Sequence, residues 1–129
     1  MLCDTNILSE LARPQPNAGV QTWADRLTTI VLSVITVEEV YYGLAAKPNA
    51  RIQAWMEQFL AEQVQILPIT REIAQGCGQL RGQLHAKGLV RSQADMLIAA
   101  TAQVHQLTLV TRNTRDFEGC GVGLLNPFV

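Results

Sequence analysis

Only three cysteines occur in the chain, Cys3, Cys77 and Cys120, and their scarcity and spacing exclude several protein classes. There is no C-x-x-C pair and no cysteine-histidine cluster, so a structural zinc site has no donors, and three distant thiols make no disulfide framework. A reducing, cytoplasmic setting is the expectation. No apolar run approaches the roughly 18 residues that a spanning helix needs, and no charged stretch followed by an apolar one opens the chain as an export leader would. Charge of one sign is also missing. Ten Lys and Arg face eleven Asp and Glu for a net charge of −1, which leaves no global basic field for nucleic acid and only local patches to consider. Repeats, low-complexity tracts and linkers are absent.

What the chain does have is apolar content, 48% of 129 residues against 16% charged. A chain of this length and composition is expected to fold as one domain over residues 1–129, burying roughly two thirds of its unfolded surface. The apolar residues fall into short blocks. Met1 to Cys3 reads as a strand. Ile7, Leu8 and Leu11 read as a helix ended by Pro14 and Pro16, and Val20, Trp23, Ala24 and Leu27 as a second helix. The β-branched run at 28–34 predicts a strand, Val37, Val40, Tyr41 and Leu44 a third helix, and Ile52, Trp55, Met56, Phe59 and Leu60 an amphipathic helix over 50–63. Further on, the pattern predicts a strand at 64–67 and a helix through Ile73, Cys77, Leu80 and Leu84 that Gly88 closes. A helix at 92–105, a strand at 107–111, a helical turn at 114–117 and a strand at 122–125 complete the chain. Strands alternate with helices and their apolar runs are unbroken, which predicts an α/β protein whose parallel sheet is covered on both faces.

In such a sheet, the loops after the strands form the crevice where ligands bind. Asp4 follows the first strand, Glu38 and Glu39 open the helix after the second, and Asp116 lies in the turn after the fourth. Asp95 opens a helix about 20 Å long that feeds the fourth strand, so it starts at the same edge. SerGlnAlaAsp (92–95), ThrValGluGlu (36–39) and AsnThrArgAsp (113–116) each fit a helix start in which the first residue caps the acid three positions on. Capping accounts for single acids but not for their gathering. Two carboxylates about 5 Å apart repel by roughly 3 kcal/mol at an effective dielectric near 20, whereas a helix N-terminus returns only about 0.3–1 kcal/mol. A hard, oxygen-seeking ion such as Mg²⁺ or Mn²⁺ answers that imbalance in a site without His or Cys.

LCDTNILSEL at 2–11, LSVITVEEVYYG at 32–43, SQADMLIAATA at 92–102, and TRNTRDFEGCGV with LNPF at 111–128 occur in this order. Together they resemble a PIN domain, and more narrowly the VapC-type toxins of bacterial type II toxin-antitoxin pairs. The resemblance implies a three-layer α/β/α sandwich around a five-stranded parallel sheet. It implies a Mg²⁺- or Mn²⁺-dependent endoribonuclease acting on RNA, tRNA among the candidates, with a VapB-like antitoxin as partner and a homodimer as the expected assembly. Carried over by position, Asp4, Glu39, Asp95 and Asp116 are its catalytic acids, with Asp4, Asp95 and Asp116 as metal ligands. Thr5, Asn6, Ser33, Thr36, Thr111 and Asn113 would support them. Helical periodicity does not separate Glu38 from Glu39; the family pattern selects Glu39.

Arg13, Arg91, Arg112 and Arg115 neighbour these motifs and form a candidate basic rim for the RNA backbone. His85 and His105 stand alone on predicted helices and have no partner for catalysis; Trp23 and Trp55 are expected in the core. Two rival readings use the same acids. One is another Mg²⁺-dependent phosphoesterase, such as a phosphatase with an aspartate nucleophile, although Asn6 occupies the place of its usual second acid. The other is a non-catalytic module that accepts a basic peptide.

Overall fold

Strand β1 is only Leu2–Cys3, yet it is the middle strand of five. Its two side chains leave on opposite sides, as the period of two requires, Leu2 into one apolar layer and Cys3 into the other, and both are fully buried. The pattern repeats in β2 (Ile30–Ser33), where Ile30 and Leu32 join Cys3 while Val31 lies with Leu2, and in β4 (Leu109–Val110), where Leu109 joins Leu2 and Val110 joins Cys3. Strands buried on both faces have no polar side to alternate with, which is why their sequence runs are unbroken. The computed structural model describes residues 1–62 and 64–129, so position 63 of the predicted fourth helix lies outside the described residues.

Helices supply the two outer layers. On the Cys3 side lie α1 (Thr5–Leu11), α2 (Ala18–Asp25) and α4 (Ala50–Glu62), contributing Ile7, Leu8, Leu11, Val20, Met56 and Phe59. On the Leu2 side lie α5 (Arg71–Ala86) and α6 (Gln93–Val104), with Ile73, Cys77, Leu80 and Leu84 facing Met96, Ile98 and three fully buried alanines. Each large aliphatic side chain withdrawn from water contributes about 1.5–3 kcal/mol. The result is an α/β/α sandwich. Trp23 and Trp55 are half-buried against the Cys3 layer, and the Trp55 ring stacks on Phe59 at 4.7 Å. Among the described residues, no helix is long and apolar enough to cross a membrane.

Three strands and the start of one helix differ from the sequence expectation. The predicted strands at 28–34, 107–111 and 122–125 shorten to Ile30–Ser33, Leu109–Val110 and Leu124–Leu125, the last being β5. Helix α3 (Val34–Ala46) begins at once after β2 because Ser33 caps it, its Oγ accepting the Ile35 N–H at 3.1 Å. The face it buries carries Thr36 and Val40, while Tyr41, predicted on the apolar stripe, is 44% exposed. Thr36 is therefore not a cap. Gly88, with φ +80°, does close α5.

All strand pairs are parallel and the order is β3-β2-β1-β4-β5, β3 being Val64–Leu67. From β1 the chain builds outward through β2 to β3, then crosses by α5 and α6 to the far side of β1. The order reverses between β1 and β4, and at such a switch point the strand ends open a crevice. Register then decides which residues border it. Leu2 pairs with Val31 and Cys3 with Val110, so Asp4, the next residue, lies level with Ser33 on one side and Thr111 on the other.

Candidate active site

The level placement of Asp4 and Thr111 produces a short interlocked network. Asp4 caps α1, its Oδ1 accepting the Thr5 N–H at 2.8 Å, and its Oδ2 accepts the Thr111 hydroxyl at 2.9 Å and the Asn6 amide at 3.2 Å. Asn6 ties the two segments together, because its Oδ1 accepts the backbone N–H of Arg112 at 3.1 Å while its Nδ2 also reaches Thr111 Oγ1 at 3.3 Å. Thr111 Oγ1 in turn accepts the Asn113 N–H at 3.0 Å. The DTN of residues 4–6 and the TRN of residues 111–113 thus hold each other, and Asp4 is left 6% exposed.

Glu39 reaches the same edge from α3. It is half-buried and accepts the Thr5 hydroxyl at 2.7 Å, and Thr5 Oγ1 lies 3.4 Å from that of Thr36. Glu38 is exposed, so burial and a hydrogen bond separate two residues that periodicity left equivalent. Asp95 is half-buried in the first turn of α6, whose cap is Ser92; the Ser92 Oγ accepts the Asp95 N–H at 3.1 Å. Asp116 is exposed on the 3-10 turn Thr114–Phe117, anchored by Phe117, which is 1% exposed. Of the three capping patterns in the sequence, the one at Ser92 holds. Thr36 lies inside its helix, and Asn113 precedes its turn without a side-chain cap bond.

Burial pushes the Asp4 carboxyl above its ordinary value, hydrogen bonds from Thr111 and Thr5 pull it back in part, and the charges of Asp95 and Glu39 push it up again. Burial also raises Asp95, with Asp116 adding to it and Ser92 and the Arg91 charge opposing. Asp4 is therefore within electrostatic reach of Asp95 and Glu39, and Asp95 of Asp116. Among the described residues, the one ion pair is Arg13–Glu10 at 3.3 Å, so none of these four acids has a paired cation.

The donor set fits a hard divalent cation: carboxylates only, one of them nearly fully buried and held above its ordinary pKa first by that burial and then by the neighbouring acids. The fit has a particular form. Among the described residues, no three Asp, Glu, His or Cys side chains are gathered closely enough to chelate an ion by themselves. An ion there would have to complete its coordination with water or substrate oxygens rather than with protein side chains alone.

The supporting and basic residues divide. Thr5, Asn6 and Thr111 touch the acids, Thr36 touches Thr5, and the Asn113 backbone bonds Thr111, while Ser33 is fully buried and caps α3. Arg13 lies beyond α1, whose first residue is at the acidic edge, and it pairs with Glu10 there. Arg91 donates to the backbone carbonyls of Asp116 and Glu118. Arg112 packs its guanidinium 4.6 Å from the Phe128 ring centroid, and Arg115 is exposed. Arg112 directly follows Thr111, and Arg115 shares the 3-10 turn with Asp116; both are exposed. Sequence reading missed two residues. Glu10 is a buried carboxylate that accepts the Asn17 N–H at 2.8 Å, and its spacing of three from Arg13 was the available signal. Phe117 gave none, since a lone aromatic in a turn reads as surface or core alike.

Comparison with known proteins agrees with this architecture. The PIN domain family model matches residues 1–120. The chain is 34% identical to VapC ribonuclease Y4jK of Sinorhizobium fredii, over 99% of this chain and 97% of that protein, and 36% identical to toxin FitB of Neisseria gonorrhoeae, over 99% and 98%. The solved VapBC2 complex of Rickettsia felis, bound to a DNA fragment from its promoter, matches with a TM-score of 0.86 at 28% identity, covering 97% of this chain and 96% of that one. With its acids at the switch point of a five-stranded parallel sheet, and with likeness running along nearly its full length, the chain belongs to the PIN-domain family, in the branch of VapC-type toxins.

Proposed function

We propose that this protein is a divalent-metal-dependent endoribonuclease that acts as the toxin of a type II toxin-antitoxin pair. The observation that carries the reading is Asp4: a nearly buried carboxylate at the switch point, within reach of Asp95 and Glu39 and without a cationic partner. Asp4, Asp95 and Asp116 would hold Mg²⁺ or Mn²⁺, some of them through water. When bound, the cation lowers the pKa of an attacking water and offsets charge on the phosphate. The chain's own residues do the rest. Thr5, by its 2.7 Å hydrogen bond, fixes one Glu39 oxygen and leaves the other to orient the water and receive its proton. Asn6 and Thr111 hold Asp4 against rotation, so that its oxygens keep one direction as charge develops. Arg112 and Arg115 stand where an RNA backbone would approach the acids.

The biological partners follow from the same reading: RNA as substrate, tRNA among the candidates, a VapB-like antitoxin that covers the acids, a second copy of the chain, and the cytoplasm as the place of action. A phosphatase with Asp4 as nucleophile has less support. Its second acid is replaced by Asn6, whose amide is engaged with Arg112, Asp4 and Thr111. The deciding experiment incubates the purified protein with cellular RNA plus Mg²⁺ or Mn²⁺, with an EDTA control. Cleavage that requires the metal and disappears in Asp4→Asn supports the reading; intact RNA under every metal condition defeats it.

A further inference from the structure

The side chain of Arg91 is turned toward the protein backbone rather than toward solvent. Its Nη1 donates to the carbonyl of Asp116, and its Nη2 donates to the carbonyl of Glu118 at 3.1 Å. These carbonyls close the 3-10 turn that carries Asp116, where orphan acceptors accumulate and a cation is favoured. The turn's N-terminal side lacks a side-chain cap, its flanking backbone bonds run from the Asp116 N–H to Asn113 at 3.0 Å, from the Glu118 N–H to Arg115 at 3.4 Å and from the Cys120 N–H to Phe117 at 3.2 Å, and Phe117 is its one buried residue. Arg91 itself immediately precedes Ser92, the cap of α6, and lies four residues before Asp95.

We propose that Arg91 is a positioning residue: its guanidinium, laid across the Asp116 and Glu118 carbonyls, ties the turn bearing Asp116 to the start of the helix bearing Asp95. The role rests on the metal-dependent nuclease reading for its effect on rate, but not for the tie itself. A planar fork with two donors spans two carbonyls at once, which a lysine ammonium on a flexible stem does not reproduce. Arg115, on the same turn and exposed, has no such bond and serves as the comparison.

The test uses full-length Arg91→Lys, Arg91→Ala and Arg115→Ala proteins in two measurements. Amide hydrogen exchange without metal should rise at Asp116, Glu118 and Cys120 in both Arg91 variants and stay unchanged in β1 and α5, whereas Arg115→Ala should leave the turn protected. RNA cleavage with Mg²⁺ should lose about 10- to 100-fold in kcat in both Arg91 variants, with KM and its salt dependence unchanged. Unchanged exchange in both Arg91 variants overturns the proposal. So does full restoration by lysine, or a loss confined to KM with a shallower salt slope, which would make Arg91 an RNA contact. If the wild type fails to cleave RNA, the nuclease reading falls, and exchange alone still decides the tie.

Discussion

Asp4 holds a carboxyl group where burial disfavours its charge, and the neighbours that relieve it differ in kind. Thr5 and Thr111 donate hydrogen bonds, whereas Asp95 and Glu39 add repulsion. Folding therefore binds a proton at Asp4 and at Asp95 more tightly than the unfolded chain does. That contribution is fully present below the ordinary aspartate value of 3.8 and is lost as pH rises through the raised folded values. Without metal, Asp95→Asn should melt above the wild type at neutral pH, and the gap should close on acidification; a gap that widens in acid would refute the charge account. In cleavage assays the same variant, like Asp4→Asn, should lose about a hundredfold or more, corresponding to the several kcal/mol that metal-assisted charge stabilisation supplies. Thr5→Val should cost about tenfold by releasing Glu39 and Thr5→Ser should retain most activity; equal loss in both would assign Thr5 a packing role instead. At this scale the DTN motif and the four acids were legible as residue types, because an unpaired carboxylate in an apolar stretch is conspicuous. The choice of Glu39 over Glu38 came from the family pattern and not from periodicity, since two adjacent helical positions differ only in what lies opposite them.

Among the elements, α2 shows how tightly the outer layer is fitted. A Cβ on Gly19 would lie 2.2 Å from the Pro127 carbonyl oxygen and 2.8 Å from a Val129 methyl, where the last residues run beside the helix and Asn17 bonds Val129 through both side-chain atoms. Alanine favours a helix over glycine by roughly 1 kcal/mol, but displacing backbone costs about 1–3 kcal/mol. Gly19→Ala should therefore lower the melting temperature, and a rise would show that the C-terminal residues move aside freely. Helix α6 depends on its cap. Ser92→Ala should destabilise by about 0.5–2 kcal/mol in chemical denaturation, and no change would indicate that Asp95 caps its own helix. Helices α4 and α5 were readable to within a residue or two because each keeps one apolar face over three or more turns, and α6 because its run of small and apolar residues follows a Ser92 cap. The short strands and the start of α3 were not. A two-residue strand carries no periodicity, and whether Ser33 or Thr36 caps α3 depends on where β2 stops pairing with β3.

For the molecule as a whole, the cation expected among the acids couples stability to pH in the opposite sense from the metal-free chain. Ligands that bind only the folded state stabilise by RT ln(1 + [L]/Kd), so Mg²⁺ or Mn²⁺ should raise the melting temperature at neutral pH. The rise should fade as Asp4 and Asp95 take up protons below their raised values; a rise independent of pH would locate the ion elsewhere. The amino-acid sequence by itself determined the α/β class, the alternation of elements and the inventory of acids, because those depend on local periodicity and on the chemistry of single side chains. Only the tertiary structure decided that β1 lies between β2 and β4, that Asp4 stands level with Thr111, and that Arg91 bonds the turn of Asp116. Those facts depend on strand order, register and packing, which join segments from 25 to 107 residues apart and leave no local mark along the chain.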